Sequence, residues 1–366
     1  MESQAKDLID RLQCVKKQPD LVCMHDFFLD HFAVYLGDRG SVSSYVRNIT
    51  NLARQGGGVI PYNKQYILCG GNAFNSSITL ATLGATAHII CRTSPLGLHL
   101  MEYFTKEKPI DLSHVKTDGE LAVTVALELK HKNRLVNPML NYPGSVDDFG
   151  FDNLEQDDLD LILKTDYIIV SDWHLNFKGT DLARRVFRHA KKGRCMKFFD
   201  PGEPMLRKNE IRSLMEDVIL EGNIDVLGLN ESEACWFATY FEPEYEKRMK
   251  REPLEQLAVE CCRLLRKHLS CRLDLHTTTL SASFDAEETF VPAFDVHMLR
   301  ATGAGDTWNA ADTYGEAIGL SPSQRLLFAN AAAAYYISSP TGDRASKEQI
   351  ADFIKKSAVK QTNLLY

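Results

Sequence analysis

No stretch of the 366 residues stays apolar for the roughly 18 residues that a membrane-spanning helix needs, so the sequence offers no membrane span. The first residues lack the apolar core of a secretory signal, and a cytoplasmic location is expected. No dense run of Lys and Arg occurs and the formal net charge is −7, which argues against a general nucleic-acid binder. The nine cysteines are scattered with no CxxC pair. Cys261 and Cys262 are adjacent on a helix-like stretch. This usage fits buried thiols in a reducing compartment and excludes a disulfide frame or a cysteine zinc site. No GxGxxG follows the first apolar strand, which sets a dinucleotide-dependent oxidoreductase aside. No internal repeat or low-complexity linker interrupts the chain.

What is present is an ordinary globular composition, 44% hydrophobic and 25% charged. The length suits one large α/β domain with a small appendage. Residues 4–18 place Leu8, Ile9, Leu12 and Val15 at helical spacing, and Pro19 stops that helix. Residues 1–20 therefore read as a helical extension and 21–366 as the main domain. Leu21 to Met24 form a buried first strand leading into His25, Asp26, Asp30 and His31. Alternating strand faces would separate those side chains, against a shared metal. Residues 35–68, with Gly37, Gly40, Gly56 to Gly58 and Pro61, read as a lid of short strands such as Val59-Ile60 and Tyr66 to Leu68. A second lid segment is expected at 121–136, with Asn133-Arg134 as its hairpin tip.

Between these, Gly70-Gly71 permits either a plain turn or a close backbone approach. Asn75 is expected to open a helix that Gly84 ends, and His88 to Cys91 form the next strand. From residue 154 strands and helices alternate. Strands are expected at 167–170, 196–199, 226–229, 272–284 and 288–291, and helices at 180–191, 210–220 and 254–268. Ser321 with Gln324, and Ser346 with Gln349, are capping boxes that open the last two helices. Such alternation implies a mostly parallel sheet covered by helices on both faces.

The most informative stretch is 300–319, RATGAGDTWNAADTYGEAIG. Thr302, Gly303, Ala304 and Gly305 leave backbone N–H groups uncovered at a helix N-terminus, where they make an anion hole. Asp306 sits at its mouth. A carboxylate beside a phosphate site is unfavourable unless it has a task, and taking a proton from an attacking hydroxyl is the natural one. Asp30, Asp200, Asn230, Glu233 and Asp306 all follow strands, and ligands of open α/β sheets bind outside the carboxyl ends of the strands. Asn230 to Glu233 offers either an N-cap with acidic first-turn residues or groups for a Mg²⁺-nucleotide.

Three motifs in order, GGNAFNSSITLATLG at 70–84, NESE at 230–233 and TGAGDTWNA at 302–310, make the chain resemble the ribokinase (PfkB) family of carbohydrate kinases over residues 21–356. The resemblance implies a ribokinase-like fold: a mostly parallel sheet with helices on both faces and a β lid over the substrate. It implies transfer of the γ-phosphoryl group of ATP, with Mg²⁺, to a hydroxyl of a sugar, sugar acid, polyol or nucleoside. Asp306 would then be the base, with Gly303, Ala304 and Gly305 as the anion hole. Asp30, Gly70, Gly71 and Asn75 would hold the substrate. Asn230, Thr277, Thr278 and Asn330 would serve the nucleotide, and Glu233 the metal. A homodimer through the lids would cover their outer faces. The chain departs from the pattern in three places. The region 274–280 lacks the glycines of the usual nucleotide turn. Arg300 stands where many members carry a potassium-binding Asp, so that it either touches a phosphate or faces solvent. Asp200-Pro201-Gly202-Glu203 replaces the usual D-P-N-x-R. These departures keep a second reading in play, a non-catalytic ribokinase-fold protein that binds a ligand and regulates.

Overall fold

The computed structural model describes residues 2–61, 63–106, 108–132, 134–300 and 302–360. The chain enters the body with β1 (Asp20–His25), leaves it for β2 (Phe28–Tyr35) and β3 (Asn63–Gly70), and returns for β4 (Thr86–Arg92), β5 (Ile110–Asp111) and β6 (Val115–Lys116). It leaves again for β7 (Ala122–His131), β8 (Arg134–Val136) and β9 (Met139–Tyr142). It then stays in the body for β10 (Tyr167–Ser171), β11 (Met196–Asp200), β12 (Val226–Leu229), β13 (Arg272–His276), β14 (Leu280–Phe284) and β15 (Glu288–Pro292).

The body is a 10-stranded sheet in the order β15-β14-β13-β12-β11-β10-β1-β4-β5, with β6 also paired to β4. All pairs are parallel except β13–β14 and β14–β15. Every residue of β10 and β12 is buried, as strands covered on both faces require. Two hydrophobic clusters fill the two faces. Leu182, Phe187, Phe237 and Leu265 lie in one, and Phe74, Leu80, Tyr314 and Phe328 in the other. Leu8, Ile9 and Leu12 of the first helix, Glu2–Cys14, join the second cluster. Each such aliphatic side chain contributes about 1.5–3 kcal/mol by leaving water, enough to fasten the extension. The expected α/β architecture is thus what the chain adopts. Strand β1 has β4 on one side and β10 on the other, so the order reverses there and a crevice opens beyond the strand ends.

The five strands β2, β3, β7, β8 and β9 form a separate small sheet. It differs from the expected lid in two respects. It begins at Phe28, so Asp30 lies inside a strand of the small sheet. Residues between β2 and β3 are not short strands: Ser41 accepts a hydrogen bond from the Ser44 N–H and opens the helix Val42–Arg54, while Val59 and Ile60 have no regular structure. Asn133, expected at the hairpin tip, lies outside the described residues.

Other boundaries shift for local reasons. The helix expected to open at Asn75 begins at Asn72, because Gly71 caps it with φ +95°. The strand expected over 272–284 is cut at 277–279, where the Thr277 hydroxyl accepts from the Thr279 and Leu280 N–H groups and turns the chain. The stretch 210–220 is a single helical turn, Ile211–Leu214, that widens into the π-type turn Met215–Ile219. Among the described residues no helix is long and apolar enough to cross a membrane.

Candidate active site

The helix Ala304–Ala317 brings its N-terminus to the crevice. Gly303 takes φ +83° there, and a Cβ on it would stand 2.7 Å from the Tyr336 hydroxyl oxygen. That hydroxyl donates to the Thr302 carbonyl at 2.9 Å and fixes the loop. No side chain caps the helix, and its first backbone bond runs from the Thr307 N–H to the Gly303 carbonyl at 3.1 Å. Among the described residues the N–H groups of Ala304, Gly305 and Asp306 have no acceptor. Gly305 keeps the hole shallow: a Cβ there would sit 3.1 Å from His276 Nε2. The His276 ring stacks on Trp308 at 5.1 Å, and burial pushes its pKa down to about 4, so it supports the turn as a neutral ring.

Asp306 lies in the first turn of this helix and is 8% exposed. Its Oδ2 accepts from Asn75 Nδ2 at 2.9 Å, and Asn75 Oδ1 accepts from Arg344 Nη2 at 2.7 Å. Burial pushes the Asp306 pKa up to about 6, with the Asn75 hydrogen bond and the Arg344 charge pulling back and the Asp172 charge adding to the rise. Arg344 is the guanidinium that sequence reasoning missed. Its position after the helix Pro322–Ser338 carries no local signal of a site.

Four further carboxylates gather at the strand ends. Asp26, just beyond β1, accepts from the Asn72 and Ala73 N–H groups at 2.6 and 2.9 Å and caps the helix Asn72–Leu83. Asp172 follows β10 in a left-handed turn of φ 65° and lies 2.9 Å from His174 Nδ1. Burial opposes both charges of this pair. The attraction is stronger, holding Asp172 below the ordinary range and His174 above it. Asp200 ends β11, accepts from Asn309 Nδ2 at 2.9 Å, and is pushed up to about 7 by burial and by the Asp306 charge. Glu233 is pushed well above the ordinary range by burial and by Asp200.

Glu233 and Asn230 form a capping box on the helix Glu231–Ala238. The carboxylate accepts from the Asn230 N–H and Nδ2, both at 2.8 Å, and the Glu233 N–H donates back to Asn230 Oδ1 at 3.0 Å. Both oxygens keep a lone pair each for water or a cation.

A cleft of about 320 Å³ separates the small sheet from the body. The strand register sets Asp30 opposite Leu68, and Phe32 opposite Tyr66, on the face that lines it. Burial, with the Asp306 charge adding, raises the Asp30 pKa to about 6 against a hydrogen bond from Thr124. Phe32 and Tyr66 stack at 4.9 Å, and the Tyr66 hydroxyl donates to Glu128 Oε1 at 3.1 Å. Gly70 and Gly71 lie against Asp30 of β2 and Asp26, just beyond β1. A Cβ on Gly70 would stand 2.3 Å from Asp30 Oδ2, and one on Gly71 2.7 Å from Asp26 Oδ2. They serve by giving these carboxylates room.

Arg300 lines the cleft instead of facing solvent alone. Its Nη2 donates to the Pro340 carbonyl at 2.8 Å, and its guanidinium lies 5.8 Å from the centre of the Tyr336 ring.

Not every expected residue is brought to the cleft. Asn330 accepts from Trp308 Nε1 at 2.8 Å and donates to the Val291 and Pro292 carbonyls at 3.3 and 3.1 Å, so its amide braces the helix from behind. Thr277 closes its own turn. The Thr278 N–H donates to Glu231 Oε1 at 3.0 Å, which ties the turn to the helix carrying Glu233.

Solved structures resemble this arrangement over nearly their whole lengths. A ribokinase from Arabidopsis thaliana complexed with ribose and ATP superposes with a TM-score of 0.67 at 16% identity, covering 93% of this chain and 99% of its own. An adenosine kinase from Sinorhizobium meliloti gives the same four values. A putative ribokinase II from E. coli, in complex with ATP and Mg²⁺, gives 0.69 at 14% identity, covering 92% and 99%. No protein-family model and no curated protein matches the sequence. The likeness to solved structures shows the fold, and the fold is the ribokinase-like one expected from the three motifs.

Proposed function

We propose that this ribokinase-like chain belongs to the ribokinase family and is a kinase that transfers the γ-phosphoryl group of ATP to a hydroxyl of a small polyhydroxylated molecule: a sugar, sugar acid, polyol or nucleoside. The observation that carries this reading is a single helical turn in which the carboxylate of Asp306, its pKa raised to about 6, adjoins three N–H groups for which no acceptor lies among the described residues. Phosphoryl transfer needs positioning and charge stabilisation more than covalent chemistry, and that turn supplies both. Asp306 takes the proton of the attacking hydroxyl. Arg344, through Asn75, holds the carboxylate in place. Asp30 and Glu128 accept hydroxyls in the cleft, and the stacked Phe32 and Tyr66 offer an apolar face to a sugar ring.

The donors fit ATP and Mg²⁺. The uncapped helix start suits a phosphate, and Asp200 and Glu233 are hard oxygen donors whose raised pKa values express a shortage of positive charge. Bound there, Mg²⁺-ATP supplies the phosphoryl group and neutralises its charge. A lid-to-lid homodimer is part of this reading, supported by Ile67, Leu140 and Tyr142, which the small sheet leaves exposed. Light scattering during size exclusion should give twice the chain mass, and a value near 41.2 kDa at all concentrations removes the dimer.

One observation favours the non-catalytic reading. The turn at 277–279 carries no glycine and is bound by acids, with Thr279 Oγ1 donating to Glu255 Oε2 at 2.8 Å. A screen of sugars, polyols and nucleosides for ADP release separates the two. Acceptor-dependent turnover by the purified chain supports the kinase. Binding of nucleotide or sugar with no turnover on any acceptor supports the regulator.

A further inference from the structure

The other end of β1 carries a second group of titratable side chains, roughly 20 Å along the strand from the candidate active site. Asp20 opens β1. His88 of β4 is in register with Val22 of β1 on one side and Asp111 of β5 on the other. Since alternate residues of a strand share a face, Asp20, His88 and Asp111 stand in a row across three strands. His114 comes just before β6, and Asp158 from the helix Gln156–Lys164 closes the group.

The ligand atoms of His88, Asp111 and His114 all lie within 4.8 Å of one another. His88 Nδ1 is 2.9 Å from Asp111 Oδ2, and His114 Nε2 is 4.0 Å from the same oxygen. A tetrahedral Zn²⁺ with bonds of about 2.0–2.1 Å spaces its ligand atoms about 3.3–3.4 Å apart, so small rotations of the His114 ring and the Asp111 carboxyl complete the geometry.

The outer nitrogen of His114 is arranged as a metal-binding histidine requires. His114 Nδ1 donates to Asp158 Oδ1 at 2.7 Å, which leaves Nε2 as the free lone pair facing Asp111. Asp20 Oδ1 lies 2.7 Å from His88 Nε2, on the far side of the ring from Asp111. The Asp158 carboxylate behind the His114 imidazole fixes its tautomer and raises its basicity toward a metal, whereas Asp20 Oδ1 and His88 Nε2 are close without hydrogen-bond geometry. Lys116 pairs with Asp158, Nζ to Oδ2 at 2.6 Å. The carboxylates of Asp20, Asp111 and Asp158 against the ammonium of Lys116 leave two negative charges, the complement of a dication.

We propose that His88, Asp111 and His114 bind a borderline divalent metal ion of the Zn²⁺ class, with Asp158 orienting the His114 ring. Two nitrogen donors and one carboxylate, with no thiolate, suit Zn²⁺, Co²⁺ or Ni²⁺ better than Mg²⁺ or Ca²⁺. The site is structural. It fastens β5 and β6, each two residues long, to β4 and ties them to the start of the following helix. It is independent of the activity proposed above.

The test uses the full chain, stripped with a chelator, dialysed, and titrated with Co²⁺ in excess Mg²⁺. The expected result is one Co²⁺ per chain, with the visible absorption of a nitrogen- and oxygen-ligated ion, displaced by Zn²⁺, and a higher thermal midpoint with Zn²⁺. His114→Gln and Asp111→Asn should weaken Co²⁺ binding at least ~10-fold, and Asp158→Asn about 10–100-fold. His99→Gln, on an exposed helix face, should leave it unchanged. Circular dichroism shows whether each variant is folded. Absence of stoichiometric Co²⁺ and Zn²⁺ binding by the wild type at tens of micromolar overturns the proposal. Binding that folded His114→Gln and Asp111→Asn leave intact overturns it equally.

Discussion

Asp306 and Asp312 lie on one helix, six positions apart; burial raises both carboxyls, to about 6 and about 8, and what differs is the partners the structure gives them. Asp312, which is fully buried, receives the guanidinium of Arg325. Arg325 also reaches Asp274 at 2.9 Å and the Ser283 hydroxyl at 3.0 Å, and Arg272 binds Asp274 at 2.8 Å and Glu316 at 2.7 Å. There, two arginines answer three acids. Burial pushes the Asp274 pKa up, yet the two guanidiniums hold it well below the ordinary carboxylate range. At the other end of the helix, Asp306 shares its surroundings with Asp26, Asp172, Asp200 and Glu233, and the nearby positive groups are His174 and Arg344. The first cluster joins β13, β14 and two helices. In the second, burial holds Asp26, Asp200, Glu233 and Asp306 above the ordinary carboxylate range while His174 holds Asp172 below it, and Asp306, near 6, lies in the range in which a base works at physiological pH. Buried charge with a partner fixes structure, and buried charge short of partners is held ready for a ligand.

The most severe way to break this contrast is Arg325→Gln. It leaves Asp274 and Asp312 buried without their main counter-charge and should cost about 3–5 kcal/mol, read as a lower denaturant midpoint. A loss below about 1 kcal/mol would mean that the paired cluster is not what holds this end of the helix. Asp306→Asn probes the other end. Turnover should fall by roughly 10²-fold, about 2.7 kcal/mol of barrier, while the midpoint stays level or rises. A variant that keeps near-normal turnover ends the assignment of the base, and one that unfolds ends the contrast.

The gentlest test is pH. Asp306 and Asp30 titrate near 6 and Asp200 near 7 in the folded chain, against about 3.9 for Asp when unfolded. The folded state therefore holds protons that the unfolded chain has released. The stability these groups contribute is complete below about pH 4 and is lost as pH rises through 6 to 7. Asp274, held low, contributes in the other direction: its stability is present above the unfolded value and lost only in acid. The stability difference between Asp306→Asn and wild type should thus grow between pH 4 and 7 and level off above, by on the order of 1–3 kcal/mol. A difference that is flat with pH would show that Asp306 is not raised. The same ionisation should make kcat/KM of the wild type climb up to about pH 6 and then flatten.

Local patterns were enough for much of this. The succession of strands and helices after residue 154, the capping boxes at Ser321 and Ser346, and the small-residue turn before Asp306 all follow from periodicity and caps acting over a few residues. The helix Val42–Arg54 escaped because its polar residues and nearby glycines mask a stripe that packs on the small sheet only once that sheet exists. The turn at 277–279 escaped because threonine hydroxyls do the work usually assigned to glycine.

The sequence by itself determined the alternation of strands and helices, the parallel sheet, and the placing of Asp306 behind Gly303 to Gly305, because each depends on neighbours in the chain. Tertiary structure alone decided which acids would be paired. Asn75 meets Asp306 across 231 positions and Arg344 across 269, and Arg325 finds Asp274 across 51. It also decided that Asn330 would turn inward to Trp308, 22 positions away. A carboxylate's pKa depends on burial and on charges brought near through space, and neither is written in the spacing of residues along the chain.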